Sequence, residues 1–451
     1  MNNSCSELAM IDITIIGNLV LLLPILFLSV YSAVKSYFYH RFSLLNYMEL
    51  WFSLLFVLIP CGISILGSDV LHPFFYRVLY ASPSAIFLCN LVIWTSFLFI
   101  RIGYRRKTHY SLRVQVSSKE LDRLFLVLFF IGLAALPLML SRYGGISYVI
   151  NNVSGIRSGQ ADIKDYLGSF IGMFASYLFY AFTYFYCRYM FCKKKSLLLL
   201  ASLCFLALLV RSLLLGGRAS MITPFLVFLF IPLIQGGKVS LPSLILVTGV
   251  VIAIIVLGKT YLFNMFSSEF NLSFSEVYNM QKENGLFASV FKEFEHQYCS
   301  LLMFIDSDFP YRYGTDYFLW LLKPLKLLKV NETWVDSISY YNTYMLLGDW
   351  DSNIPPGFLG LAYINLGIVG IVVQSYVWGR VIRILDDIFK RKIKSSSTNL
   401  SLIFTLYIVM FDFMWYALQN GDPAIIIQSN LPLIVLFAYF RISKKIFLDR
   451  G

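Results

Sequence analysis

The chain has 451 residues, of which 58% are hydrophobic and only 14% are charged, whereas about a quarter of the residues of a soluble domain are charged. This composition excludes an ordinary soluble protein, because many windows of about 20 residues are nearly uncharged, the length that crosses a bilayer as a helix. The net charge of +12 indicates basic cytoplasmic loops rather than nucleic-acid binding.

Eleven apolar stretches have the length and composition of membrane spans. They cover residues 11–32, 49–67, 84–103, 122–140, 166–190, 196–215, 219–235, 240–262, 357–379, 398–418 and 424–440. Neither a basic segment nor a small-residue cleavage site accompanies the first stretch, so we expect a retained span rather than a signal peptide. The prediction is an all-α fold, a polytopic integral membrane protein with about 11 transmembrane helices and a large extracytoplasmic loop.

The span pattern divides the chain into three parts. Residues 1–262 form a bundle of about eight spans, 263–355 form the large extracytoplasmic loop with interfacial helices, and 356–451 hold about three further spans. The seven cysteines form no C-x-x-C pair and mostly lie in apolar runs. We therefore expect neither a metal centre nor a disulfide framework.

Basic residues between the spans predict the orientation. The richest stretches are RIGYRRKTHYSLRVQVSSKELDR, CRYMFCKKKS, GRVIRILDDIFKRKIKSS and RISKKIFLDRG, and an eleven-span chain places all four on one side. Because Lys and Arg collect in cytoplasmic loops, that side is predicted to be the cytoplasm. The N-terminus is then outside and the C-terminus is cytoplasmic, while residues 141–165, the GGR turn at 216–218 and the loop 263–355 are extracytoplasmic.

Several basic residues fall at or near the predicted outer face, where topology disfavours them. They are Arg142, Arg157, Arg218, Lys259 and Arg312. Arg211 and Lys259 interrupt apolar runs, where ionisable residues usually face a cavity or a partner. Arg211 shares a helical face with Arg218 if the helix continues. The alternatives are snorkelling to lipid headgroups for each residue and a buried ion pair with Asp412 for Arg211.

Together these side chains indicate a site for phosphate. The planar guanidinium fork suits phosphate oxygens, and Gly216 and Gly217 beside Arg218 allow close backbone approach. A diphosphate at the lipid surface is the ligand that this arrangement fits.

Most of the outward acid–base candidates lie in the large loop. Its segment FASVFKEFEHQYCSLLMFI has apolar residues at helical spacing, which predicts an amphipathic helix lying on the membrane. The candidates are Glu293, Glu295, His296, Asp306, Asp308, Asp349, Asp351 and Asp422. For His296 the alternative is a solvated residue on the polar helix face. The chain contains no Walker loop, H-E-x-x-H or G-x-S-x-G motif, so soluble hydrolase or nucleotide chemistry has no support.

Two stretches resemble the Wzy-type polymerases of bacterial O-antigen, the oligosaccharide repeat-unit polymerases. In LLLGGRASMITPFLVFLFIPLIQGGKVSLPSLILVTGVVIAIIVLGK, Arg218 and Lys259 stand where family members carry a Gly-Gly-(x)-Arg turn and a later basic residue. IPPGFLGLAYINLGIVG is similar to the Pro-x-Gly-x-Leu-Gly…Tyr-x-Asn-x-Gly entry into a span. Several members have an acid directly after that Leu-Gly, whereas this chain has Leu361. Arg157 and Gly168 match the family's outer-loop Arg and Gly eleven residues apart.

The resemblance implies glycosyl transfer on the outer face of the bacterial cytoplasmic (inner) membrane. The growing glycan would leave undecaprenyl diphosphate and join the next lipid-linked repeat unit, with no cofactor and no metal. The implied phosphate-binding residues are Arg218, Arg157 and Lys259, with Arg142, Arg312 and Gly217 nearby and Arg211 supporting the site. The implied base is His296, with Glu295 and Asp306 as substitutes. The family also implies a chain-length regulator and a flippase as partners, and membrane lipid around the spans.

Three other functions remain open from the sequence. An O-antigen ligase shares the architecture and the donor, and His296 fits it equally well. A flippase or transporter of lipid-linked sugars usually carries its cations through the middle of the bundle and lacks a loop of this length. A structural scaffold explains the spans but not the outward arginines.

Overall fold

The computed structural model describes residues 2–107, 110–151, 166–214, 218–236, 239–266, 286–307, 309–322, 337–348, 353–394, 399–443 and 446–450. Its regular elements, in chain order, are α1 (Asn2–Phe38), α2 (Leu44–Ser53), α3 (Ile59–Leu66), α4 (Pro83–Arg105), β1 (Tyr110–Val114), α5 (Ser118–Arg142), α6 (Ile146–Asn151), α7 (Tyr166–Phe174), α8 (Tyr177–Cys192), α9 (Lys195–Leu214), α10 (Arg218–Ile234), α11 (Leu241–Phe266), α12 (Leu286–Phe294), α13 (His296–Asp306), α14 (Ile338–Leu347), α15 (Gly357–Lys394), α16 (Leu400–Asn420), α17 (Pro423–Ser429), α18 (Leu431–Ile442) and β2 (Ile446–Arg450).

Serine residues begin three of the long helices. The hydroxyls of Ser43, Ser82 and Ser117 each accept a hydrogen bond from the backbone amide three residues on, at 3.2, 3.3 and 3.2 Å. Amides in the first turn of a helix have no partner within the helix, so a serine at this position stabilises the start. These caps fix where α2, α4 and α5 begin.

The chain divides into two compact units. Unit 1 comprises Met1–Arg106, Met280–Arg383 and Met414–Ile426, and unit 2 comprises Lys107–Asn279, Ile384–Phe413 and Ile427–Gly451. In unit 1, α2 continues through a π-helical turn at Leu54–Leu58 into α3. In unit 2, β1 pairs antiparallel with β2.

Helix α15, whose residues 357–383 belong to unit 1, is a hairpin rather than a straight rod. Its backbone leaves the helical region at Leu366 and Gly367, and Gly367 has φ +58°. The side-chain amide of Gln374 donates to the carbonyl of Phe358 at 2.7 Å, although 16 residues of straight helix would separate them by about 24 Å. The short limb (357–365) therefore runs antiparallel to the first part of the long limb (368–394).

A tight turn of the chain holds the tip of this hairpin. The amides of Arg312 and Tyr313 donate to the carbonyls of Ile364 and Asn365, both at 3.0 Å. These are the last carbonyls of the short limb, which have no acceptor role within the helix. The turn thus satisfies the end of the short limb from outside.

The described residues confirm the predicted all-α class, with the short β1–β2 pair as the departure. Eight helices are long and apolar enough to cross a membrane: Gly17–Phe38, Leu44–Val70, Pro83–Arg105, Ser118–Arg142, Phe170–Cys192, Lys195–Leu214, Gly357–Ile393 and Leu400–Asn420. The pair Pro423–Ser429 and Leu431–Ile442 is bent by 66°, and Met221–Ile234 and Leu241–Ile254 are shorter apolar helices. The structure therefore supports a polytopic membrane protein, while eleven spans, the orientation and the position of the large loop stay predictions.

Two predicted helices differ in their course from the helices that the structure describes. The predicted span 357–379 lies in the long apolar helix Gly357–Ile393, but it is not straight, because the backbone folds back at Gly367, where a glycine with positive φ ends the first helical segment. The predicted amphipathic helix is two helices, α12 and α13, and all side chains of residues 297–304 in α13 are buried. The polar positions of α13 face other polar groups of unit 1 instead of water.

Candidate functional site

Helix α13 of unit 1 presents a buried polar face. His296, Gln297 and Ser300 share one side of the helix by their spacing, and Gln297 and Ser300 have no exposed surface. This face meets three other elements, namely α14, the loop before α15 and the end of α16. We take this face as the candidate site of unit 1, because it carries His296 and neighbouring buried polar side chains.

His296 is oriented by the end of α16. The backbone carbonyl of Gln419 favours the charged form of its imidazole, and it is one of the last carbonyls of α16, which have no amide partner within the helix. Its Nε2 atom is buried and has no hydrogen-bond partner within the part of the chain that is described. In the neutral tautomer with the proton on Nδ1, Nε2 presents an unshared lone pair.

Burial keeps this imidazole uncharged. Desolvation lowers the pKa of His296 to about 4, and the carbonyl of Gln419 opposes the effect only partly. The residue as a whole is partly buried, but Nε2 itself is inaccessible. At neutral pH the lone pair is available to accept a proton or a hydrogen bond.

An asparagine of α14 covers the same face. The Asn342 amide donates to the hydroxyl of Ser300 and to the carbonyl of Ile354, both at 2.9 Å. The amide of Ile354 in turn donates to the hydroxyl of Thr343 at 2.8 Å. These bonds fix the loop before α15 against α13 and α14 and place Asn353, next to Ile354, beside the same face.

Two glycines allow the loops to meet. A Cβ on Gly421, where φ is +59°, would overlap the carbonyl of Gly357, and a Cβ on Gly357 would lie 2.9 Å from the side chain of Gln297. Gly421 follows α16 directly, in the position where left-handed glycines end helices. The start of α15 therefore packs against Gln297, and the residue after α16 packs against the start of α15, both so closely that a side chain larger than hydrogen does not fit.

The other two acid–base candidates are engaged in structural bonds. Both carboxylate oxygens of Glu295 accept from the amide of His72, at 3.1 and 3.0 Å. Asp306 accepts from the amide and the hydroxyl of Ser82, at 3.1 and 2.7 Å. Glu295 thus fixes the entry to a short helical turn, and Asp306 fixes the start of α4. We retain only His296 as the candidate base.

Arg312 also has a structural partner. Its guanidinium makes two bonds to the buried carboxylate of Asp316, at 2.8 and 2.9 Å, and lies 4.5 Å from the ring of Tyr341. Asp316 additionally accepts from Asn365 at 3.0 Å. The arginine predicted to bind diphosphate therefore anchors the tip of the α15 hairpin, and we drop it from the phosphate site.

The remaining predicted cations belong to unit 2. The charge of Arg211 in α9 acts on the Asp412 carboxyl, which accepts from the hydroxyl of Thr223 at 3.1 Å. The ion pair between Arg211 and Asp412 stays a prediction. Arg142 is exposed at the last position of α5.

Some predicted residues lie beyond what the structure describes. Arg157 and Gly217 are outside the described residues, and so are the side chains of Arg218 in α10 and Lys259 in α11. Their predicted roles toward diphosphate stay predictions. Among the described residues, no group of three His, Cys, Asp or Glu is placed to hold a metal ion.

The sequence did not single out Gln297, Asn342 or Asn353. They are neutral amides with no motif, and only their positions beside His296 and IPPG could have drawn attention to them. The structure brings these three together with His296, and we call the four residues the buried polar cluster.

Comparison with known proteins identifies no relative. No family model matches the chain, and no curated protein and no solved structure matches it either.

Proposed function

We propose that this protein is a polymerase of lipid-linked oligosaccharide repeat units in a bacterial inner membrane. It would transfer the growing glycan from undecaprenyl diphosphate to the next lipid-linked repeat unit on the outer face. The observation that carries the proposal is the uncharged, partly buried His296, whose buried Nε2 atom presents its lone pair beside neutral amides. The two motif stretches that resemble repeat-unit polymerases add support.

The reaction requires one proton acceptor. A hydroxyl of the incoming repeat unit attacks the anomeric carbon of the donor, the new C–O bond forms, and the bond from that carbon to the phosphate oxygen breaks. The electron pair of the broken bond leaves with undecaprenyl diphosphate, and the hydroxyl proton passes to Nε2 of His296. The Gln419 carbonyl stabilises the resulting imidazolium through Nδ1, as a fixed dipole aimed at the developing charge.

A pKa of about 4 makes the free imidazole a weak base, and the substrate itself would strengthen it. An anion near an imidazole favours its protonated form and raises its pKa. Binding of the diphosphate donor would therefore bring the pKa of His296 closer to the working pH, where general bases are most effective.

The departing diphosphate needs positive charge. We assign that role to Arg218, Arg157 and Lys259, as the sequence predicts, with Arg211 holding α9 through Asp412. Guanidinium forks bind diphosphate oxygens in pairs. A chain-length regulator and a flippase are the partners that this function calls for.

The test uses cells in which the gene is deleted and then supplied with wild type, His296→Gln, Arg218→Ala or Arg218→Lys. Surface glycan is resolved by length, and each variant is quantified in the membrane. Wild type should restore a ladder, while His296→Gln and Arg218→Ala, at normal abundance, should leave a single repeat unit. Lipid-linked polymer that never reaches its acceptor would instead indicate a ligase. Single units retained on the cytoplasmic face would indicate a flippase.

A further inference from the structure

Each residue of the buried polar cluster has a hydrogen-bond acceptor that no described donor reaches. The buried atoms Nε2 of His296, Oε1 of Gln297 and Oδ1 of both Asn342 and Asn353 have no hydrogen-bond partner within the described chain. Gln297 and Asn342 have no exposed surface at all. All four atoms are hydrogen-bond acceptors, and the described chain directs no donor at them.

The orientation of the amides is fixed by their neighbours. The Asn342 nitrogen donates to the carbonyl of Ile354 and the Gln297 nitrogen donates to the carbonyl of Gln419, at 2.9 and 3.4 Å. A carbonyl only accepts, so turning either amide over would set two oxygens against each other. The free atoms are therefore the oxygens, and they cannot exchange roles with the nitrogens.

The four residues lie around one place in unit 1. His296 and Gln297 share the Gln419 carbonyl, Asn342 contacts Ser300 one turn along α13, and Asn353 adjoins the Ile354 carbonyl that Asn342 binds. Nearly all buried polar groups in native proteins have a partner. Four acceptors without one in the described chain, on residues that are adjacent in sequence or linked through the bonds above, indicate that a bound molecule supplies the donors.

The chemistry of the cluster defines that molecule. The four side chains carry no formal charge at neutral pH, which does not suit a phosphate or a metal ion. A ligand with several adjacent hydroxyl groups supplies the required donors. We propose that the buried polar cluster binds a sugar ring through its hydroxyls. In identifying that ring as part of the acceptor repeat unit, the proposal rests on the proposed function.

The test compares full-length wild type with Gln297→Met and, as the matched control, Asn399→Leu. Asn399 also has a buried amide oxygen that no described residue bonds, but it belongs to unit 2. The detergent-solubilised proteins are heated with glucose, galactose, mannose, N-acetylglucosamine, N-acetylgalactosamine or sodium diphosphate. The thermal midpoint is measured at rising concentration of each probe.

We expect at least one sugar to raise the midpoint of wild type and of Asn399→Leu by about 1–2 °C at ten times its Kd. Gln297→Met should weaken this effect about tenfold, because it removes one acceptor. Without sugar, its midpoint should equal or exceed that of wild type, since methionine has a similar shape and removes an unpartnered oxygen.

Three results would overturn the proposal. They are the absence of any sugar effect, an equal effect in Gln297→Met, and a response to diphosphate that Gln297→Met abolishes. The absence of any sugar effect would mean that trapped water satisfies the acceptors. Because the readout is binding, sugar binding in a protein that makes no polymer in cells would refute the proposed function and leave this inference standing.

Discussion

The rings of Phe358 and Trp378 lie 5.9 Å apart between centroids, although 20 residues separate them within one helical stretch. A straight helix of that length would place them about 30 Å apart. Their contact is the consequence of the turn at Gly367, which folds the short limb of α15 onto the long one. The hairpin brings Gly357 to Gln297 and so builds one wall of the buried polar cluster.

The hairpin predicts a cross-link that a straight span forbids. In a background without the native cysteines, a short bismaleimide should rapidly join Phe358→Cys to Trp378→Cys. When the chain is then cleaved between the two limbs, the cross-link should hold the two fragments together, so that they migrate as one band on a denaturing gel. Leu400→Cys with Asn420→Cys, also 20 residues apart on α16, is the matched pair and should not be joined. Equal behaviour of the two pairs would mean that 357–394 is a straight helix.

The contact between Gly421, after α16, and Gly357, at the start of α15, predicts that adding one methyl group at Gly421 strongly destabilises the fold. Gly421→Ala should lower the free energy of unfolding by about 3–5 kcal/mol, because it adds an overlap with the Gly357 carbonyl to the strain of a positive φ. Gly348→Ala is the control, since Gly348 has φ +78° and open space around its Cβ position. It should cost about 1–2 kcal/mol. Thermal unfolding in detergent measures both, and equal losses would contradict the close approach.

The pair of Arg312 and Asp316 predicts structural rather than ligand-binding behaviour. Arg312→Ala should destabilise the protein by about 3–5 kcal/mol, because it leaves the buried Asp316 carboxylate uncompensated. Adding Asp316→Asn should recover part of this loss. Arg391→Ala is the control, as Arg391 is more exposed and lies 4.0 Å from Asp387, and it should cost below about 0.5 kcal/mol. Loss of polymer with full stability in Arg312→Ala would restore this arginine to the phosphate site.

The low pKa of His296 predicts acid sensitivity. The pKa is about 4 in the folded protein and about 6.5 when unfolded, so between these values the unfolded chain binds more protons. Stability then rises with pH across this window, and His296 contributes up to about 3 kcal/mol that is lost as pH falls from 7 to 4. His296→Gln does not titrate, so its thermal midpoint should fall less with acid. If the thermal midpoints of wild type and His296→Gln fall in parallel as the pH is lowered, His296 is solvated and the prediction is wrong.

The sequence predicted the helical class because uncharged runs of about 20 residues have few alternatives, and each of the eleven stretches is mostly helical over its described residues, although some are broken into two or more helices. It missed the hairpin because FLGLAYINLGIVG reads as one apolar segment. The turn depends on Gly367 together with the amides of Arg312 and Tyr313, which are distant in sequence. The apolar composition of a segment shows how long it is, but it does not show where the chain folds back within it.

The candidate site was predictable only in part. His296 stood out as one of four histidines, and the motif IPPG marked the loop beside it. Glu295 and Asp306 looked equally suitable, because a sequence does not show that His72 and Ser82 already occupy their oxygens. Gln297 and Asn342 gave no signal, since only tertiary packing decides which neutral amides keep an unpartnered oxygen.

The most direct test of the proposed function is glycosyl transfer by the purified protein. Wild type and His296→Gln, matched for thermal midpoint at pH 7.5, are incubated in detergent with undecaprenyl-diphosphate-linked repeat units isolated from cells that lack the gene. Wild type should produce a ladder of longer glycans and release one undecaprenyl diphosphate per new linkage, while His296→Gln should produce neither. A wild-type protein that forms no linkage, or a His296→Gln protein that forms them at the wild-type rate, would contradict the account.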